Sequence, residues 1–134
     1  MAIDEKFLSK IAQRVLKNEK IKSLDLSVAF IGAPRMRELN RRYRRKDTIA
    51  NVLSFSFAPS RKEPPCSLGL GEIVICPQQV RKDAKKYGIL FKKALAWMLL
   101  HGILHLAGYT HEGKSSDAQK MEERENFYLK TLNP

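Results

Sequence analysis

All three histidines of the chain fall within eleven consecutive residues, His101-Gly-Ile-Leu-His105-Leu-Ala-Gly-Tyr-Thr-His111, and they close its most apolar stretch. Ala94 to Leu100 are apolar without exception, and Ile103, Leu104 and Leu106 continue the run. The pattern predicts a helix from Phe91 to Gly108 that is apolar nearly all round, so it has to be a buried central helix covered by other elements. Polar side chains on such a helix are costly unless they are satisfied. A lone histidine there is usually a hydrogen-bonded core residue, but that reading explains poorly two histidines four apart and a third after a glycine.

On a helix, His101 and His105 share one face one turn apart, with rings pointing the same way. Two imidazole nitrogens so placed can reach a single ion at about 2.0–2.1 Å. Gly108 can adopt the positive φ that ends the helix and turns the chain back, bringing His111 round as a third ligand. Three protein ligands leave the fourth tetrahedral position to water, the arrangement of a catalytic rather than a structural zinc site. The expectation is therefore one Zn2+ ion on His101, His105 and His111, with a zinc-bound water whose pKa falls to about 7.

The same spacing occurs in the metzincin peptidases, His-Glu-x-x-His-x-x-Gly-x-x-His. There the second residue is the glutamate that serves as general base of peptide hydrolysis. Here it is Gly102, which takes no proton. The helix is zincin-like, but the base of a metallopeptidase is missing.

Charge directs attention to another substrate class. Twenty-five Lys and Arg against 14 Asp and Glu leave a formal net charge of +11, which favours polyanionic partners. The charge is concentrated in Pro34-Arg-Met-Arg-Glu-Leu-Asn-Arg-Arg-Tyr-Arg-Arg-Lys46. Helical spacing gathers Met36, Leu39 and Tyr43 as a buried stripe, with Arg37, Arg41, Arg44 and Arg45 roughly opposite. A solvated face is the bland reading. These arginines lack an acidic partner at i+4 and repel one another, which makes phosphate contact the better one, through paired hydrogen bonds from planar guanidinium groups. With Tyr43 assigned to the buried stripe, no base-stacking platform is expected.

The remaining elements follow from periodicity and punctuation. Asp4 caps a helix to about Glu19, and Leu24 to Phe30 alternate as a strand. Pro34 opens the basic helix to about Arg45. Asn51–Phe57 and Leu70–Cys76 read as strands, separated by a proline- and serine-rich surface loop from Ala58 to Ser67. A helix from Pro77 stops at Gly88. A last helix starts near Ser116, with Gln119 completing a capping box, and buries Met121, Tyr128 and Leu132. The expected fold is a single α+β domain over 1–134, a small sheet covered by helices. Met1 to Lys10 lack a secretory pattern, no apolar run reaches the roughly 20 residues that span a bilayer, and Cys66 and Cys76 form no Cys-x-x-Cys motif. The expectation is a cytoplasmic protein with reduced thiols and no membrane partner.

Four motifs in order resemble the YbeY endoribonucleases. They are Leu39-Asn40-x-x-Tyr43-Arg44-x-Lys46-Asp47, Asn51-Val52-Leu53-Ser54-Phe55, Leu70-Gly71-Glu72-Ile73, and His101-Gly102-x-Leu104-His105-Leu106-x-Gly108-Tyr109-x-His111. The resemblance implies a mostly parallel sheet of about four strands and zinc on the three histidines. It also implies a functionally important Arg44 beside the metal. The implied activity is zinc-dependent cleavage of single-stranded RNA, in maturation of the 3′ end of small-subunit 16S ribosomal RNA and in ribosome quality control. Its partners would be ribosomal RNA and the small ribosomal subunit. Arg37, Arg41, Arg44, Arg45 and Lys46 are the candidate RNA contacts. Glu72 and Thr110, each standing where the family usually has Asp, are candidates for outer support of the metal. Two rivals are a non-catalytic ribosome assembly factor with structural zinc and, less favoured, a metallopeptidase.

Overall fold

A computed structural model describes residues 3–21, 26–56, 70–109 and 115–132. The element order is α1 (Glu5–Asn18), β1 (Leu26–Phe30), α2 (Ala33–Arg44), β2 (Val52–Ser56), β3 (Gly71–Ile75), α3 (Pro77–Tyr87), α4 (Phe91–Leu106) and α5 (Ser115–Leu132).

Asp4 starts α1 as its sequence suggests, its Oδ1 accepting the Phe7 N–H at 3.0 Å. The helix buries Leu8, Ile11, Val15 and Leu16 at helical spacing. Pro77 opens α3 and Gly88 closes it in the left-handed conformation. The last helix begins at Ser115, so Ser116 lies inside it rather than capping it. Met121 and Tyr128 are buried as expected, while the Leu132 side chain, Leu24, Phe57 and the Ala58–Ser67 loop, with Cys66, lie outside the described residues. Cys76 is a buried thiol.

Among the described residues the sheet has three strands in the order β1-β3-β2. β1 runs parallel to β3, with Val28 opposite Ile73, and β2 runs antiparallel to it, with Ser54 opposite Ile73. The sheet is therefore mixed, which corrects the expectation of a mostly parallel one. Of its two ladders, one is antiparallel because β2 enters from the far end after α2.

The pleat of β3 divides the core in two. Ile73 and Ile75 face α1, α4 and α5 in the larger cluster, with Leu99, Leu100, Ile103, Met121 and Tyr128. Val74 and Cys76 point the other way and pack with Met36 of α2 and Leu53. Helices α4 and α2 thus cover opposite faces of one sheet. That is the layered α+β arrangement expected. No single helix among the described residues is long and apolar enough to cross a membrane.

Candidate metal and nucleic-acid site

Helix α4 is as buried as its composition requires, with Ala94, Leu95, Ala96, Leu99, Leu100, Ile103 and Leu104 all in the core. Gly102 explains how closely it packs. A Cβ there would lie 3.0 Å from both Cδ1 and Cγ2 of Ile73, so the second position of the histidine motif is pressed onto the sheet. A side chain at this position would require Ile73 to shift, so packing against the sheet as well as the missing base sets it apart from the peptidase glutamate.

The helix ends as its glycine predicts. Gly108 has φ 106°. Its N–H donates to the His105 carbonyl, and the Tyr109 N–H donates to the Leu104 carbonyl, each at 3.0 Å. This is the six-to-one and five-to-two bonding that satisfies the last carbonyls and reverses the chain. His101 is half-buried and His105 exposed, both in the last turns before this reversal.

His101 has a partner that sequence reasoning missed. Its Nδ1 lies 2.6 Å from Oε1 of Glu125 on α5. Glu125 is buried, and its Oε2 accepts from Trp97 Nε1 at 3.4 Å. A signal for it exists in the sequence: Glu125 stands four residues after Met121 and three before Tyr128, a charged residue on the apolar stripe of its helix.

A second polar cluster fixes the turn that follows α4. Glu19, at the end of α1, accepts from Tyr109 Oη at 2.8 Å, and its other oxygen takes hydrogen bonds from Arg124 and Tyr128 of α5. Burial pushes the Glu19 carboxyl up, but the bonds from Tyr128, Arg124 and Tyr109 and the Arg124 charge outweigh it. The result lies below the usual value of 4.5. The Tyr128 hydroxyl is pushed up to about 12 by burial and by the neighbouring carboxylate. Tyr109, two residues before His111, is thereby tied to α1 and α5.

His111 and Thr110 lie outside the described residues. Among those described, no three His, Cys, Asp or Glu side chains gather where one ion could sit. The two described histidines still suit a divalent metal. They lie one turn apart, and it is Nδ1 of His101, not Nε2, that faces the Glu125 carboxylate. The alternation of β3 puts Glu72 on the face opposite α4, beside Phe55 in register.

On α2, Met36 is buried as expected, Leu39 is half-buried, and Tyr43 is 58% exposed. The buried position is instead Asn40, whose Nδ2 donates to the Thr48 carbonyl at 3.0 Å and to its hydroxyl at 3.1 Å. Tyr43 sits in the last turn and meets Phe55 of β2 edge-on, centroids 5.2 Å apart. An exposed ring therefore stands between Arg42 and Arg44, against the expectation that no aromatic interleaves the arginines. Arg37, Arg41, Arg44, Arg45 and Lys46 are all exposed. Arg37 makes a two-pronged pair with Asp47, Nε to Oδ1 at 2.8 Å and Nη2 to Oδ2 at 3.1 Å, which holds the Asp47 carboxyl below its usual range.

The C-terminal ends of α2 and α4 converge on one end of the sheet. Tyr43 touches Phe55, which pairs with Glu72 at the start of β3. On the other face, the position where a Cβ of Gly71 would sit lies 2.9 Å from Leu106 Cδ2. The basic helix and the histidine helix thus deliver their last turns to the same edge from opposite sides.

The family profile described as "Endoribonuclease YbeY" matches residues 1–133. A protein of that name from Thermodesulfovibrio yellowstonii is 43% identical over 130 residues, 97% of this chain and 77% of the relative. Another, from Thermotoga neapolitana, is 35% identical over 127 residues, covering 95% and 79%. Among solved structures, the solution structure of TM1509 from Thermotoga maritima is similar with a TM-score of 0.65 at 26% identity, over 98% of this chain and 85% of that one.

Proposed function

Because the chain belongs to the YbeY endoribonuclease family, we propose that it cuts single-stranded RNA with one zinc ion held by His101, His105 and His111. The substrate class in this reading is ribosomal RNA, with the 3′ end of the small-subunit RNA as the site of processing, ribosome quality control as the setting and the cytoplasm as the compartment. The observation that carries it is the convergence of two chemistries on one sheet end: imidazoles one turn apart on α4 and exposed guanidinium groups at the end of α2.

When bound, zinc supplies a Lewis acid and lowers the pKa of a coordinated water to about 7. The chain's own residues do the rest. His101 and His105 present ring nitrogens from a rigid, buried helix. Arg44 binds the phosphate under attack through its planar fork and offsets the charge that develops on the phosphoryl oxygens. Arg41, Arg45 and Lys46 extend the cationic surface along the backbone of the strand. The exposed Tyr43 ring is a surface on which an unpaired base can stack, which agrees with single-strand preference.

The test is incubation of the purified protein with labelled single-stranded and duplex RNA, before and after metal removal and zinc restoration. The reading predicts internal cuts in the single strand that disappear on chelation and return with zinc. Cleavage that survives complete metal removal contradicts it.

A further inference from the structure

Glu125 is a buried carboxylate for which the reaction above has no direct use. Its neighbours on α5, Glu122 and Glu123, are exposed, whereas only 7% of the Glu125 side chain reaches solvent. Burying a carboxylate is costly unless hydrogen-bonded partners compensate. Two compensating groups come from α4: His101 Nδ1 at 2.6 Å from Oε1 and Trp97 Nε1 at 3.4 Å from Oε2. Trp97 and His101 are one turn apart, so the carboxylate bridges successive turns of α4, and the indole holds it in position.

A carboxylate on Nδ1 has two consequences for an imidazole. It keeps the proton of the neutral ring on Nδ1, leaving the lone pair on Nε2. It also raises the electron density that Nε2 can donate and fixes the plane of the ring. We propose that Glu125 is the positioning residue of the metal centre, selecting the His101 tautomer and aiming Nε2 at the ion without ligating it. The inference rests on the zinc reading above. A residue that only satisfied the packing of α4 against α5 would influence stability and leave metal affinity per folded molecule unchanged.

The experiment uses the metal-free full chain as wild type, Glu125→Gln, Glu125→Ala and His105→Ala, each checked for folding by circular dichroism and thermal melting. Zinc affinity is read by competition with a chromophoric chelator. The proton position on His101 is read from its ring 15N shifts at a fixed pH where the ring is neutral. Loss of an outer carboxylate partner weakens metal binding by about 10–100-fold, the range expected for Glu125→Ala. Glu125→Gln keeps an acceptor oxygen and the shape but loses the charge, so it falls between Glu125→Ala and wild type, and it carries the test if Glu125→Ala does not fold. The wild-type ring carries its proton on Nδ1, and Glu125→Ala gives a mixture. Folded Glu125 variants that bind zinc as tightly as wild type, or a wild-type proton on Nε2, overturn the positioning role alone. A wild type that takes up no zinc and matches His105→Ala overturns the zinc reading itself, and the role of Glu125 with it.

Discussion

Helix α4 is buried along most of its length and ties His101 to α5 through Glu125, whereas α2 buries only Met36 and Asn40 and turns its arginines to solvent. The contrast matches what each helix is asked to do. A metal tolerates little error in ligand position, and in the proposed reading His101 and His105 stand on a helix pressed against Ile73 and braced from a neighbouring helix. Phosphate groups along a flexible strand are met by long, mobile side chains, for which exposure and charge matter more than fixed geometry.

Substitutions on the two helices should therefore differ in kind. The largest effect is expected for His105→Ala, which removes a ligand from an exposed position on α4. RNA cleavage should fall to background and zinc content should drop, while the melting temperature of the metal-free protein stays near wild type. Cleavage assays with metal analysis check this. An unfolded His105→Ala chain would instead mark the metal as structural and favour the assembly-factor rival. Next comes Arg44→Ala. If its guanidinium offsets charge at the scissile phosphate, kcat should fall by about 10²–10³-fold, the usual cost of removing one such donor, with zinc content unchanged.

A stability effect of intermediate size is expected in the cluster that ties Tyr109 to α1. Glu19→Gln replaces a buried, charged acceptor, and hydrogen bonds to charged groups contribute about 1.5–3 kcal/mol. The Glu19 carboxyl lies below its unfolded value of 4.5, so its contribution is complete above that pH and is lost as pH falls through the lower folded value. Denaturant unfolding should show wild type and Glu19→Gln well separated at neutral pH and converging in acid. The smallest effects belong to the periphery of α2. Arg41→Ala and Arg45→Ala should each weaken single-strand binding modestly and reduce the salt slope by about 0.7 per lost phosphate contact. Arg37→Ala should do less, because Asp47 already shares its guanidinium.

The same contrast explains which features were legible in the sequence. Local signals carried the elements: Asp4 before α1, Pro77 and Gly88 around α3, and the apolar run and Gly108 of α4 each have a mechanism that acts within a few residues. The mixed character of the sheet was not legible, because strand direction depends on where the chain re-enters after α2. Tyr43 was misplaced for a related reason. Helical periodicity puts it with Met36, but periodicity does not register that the last turn of α2 meets Phe55 only through a ring edge, leaving Tyr43 exposed while Asn40 is buried against Thr48. Glu125 and Glu19 were missed because their partners are distant in sequence: His101 lies 24 residues before Glu125, and Tyr109 lies 90 after Glu19. Gly102 shows the opposite case. Its lack of a carboxylate was visible at once, and its packing against Ile73 adds the steric reason.

The central claim is that three imidazoles, two from α4 and one from beyond its glycine turn, share one ion and leave it an exchangeable position. A crystal structure of the zinc-loaded protein, with anomalous data collected at the zinc edge, tests it most directly. A single strong peak is expected about 2.0–2.1 Å from a ring nitrogen of each of His101, His105 and His111, with a water as fourth neighbour. A peak elsewhere, or a fourth protein ligand closing the site, would contradict it.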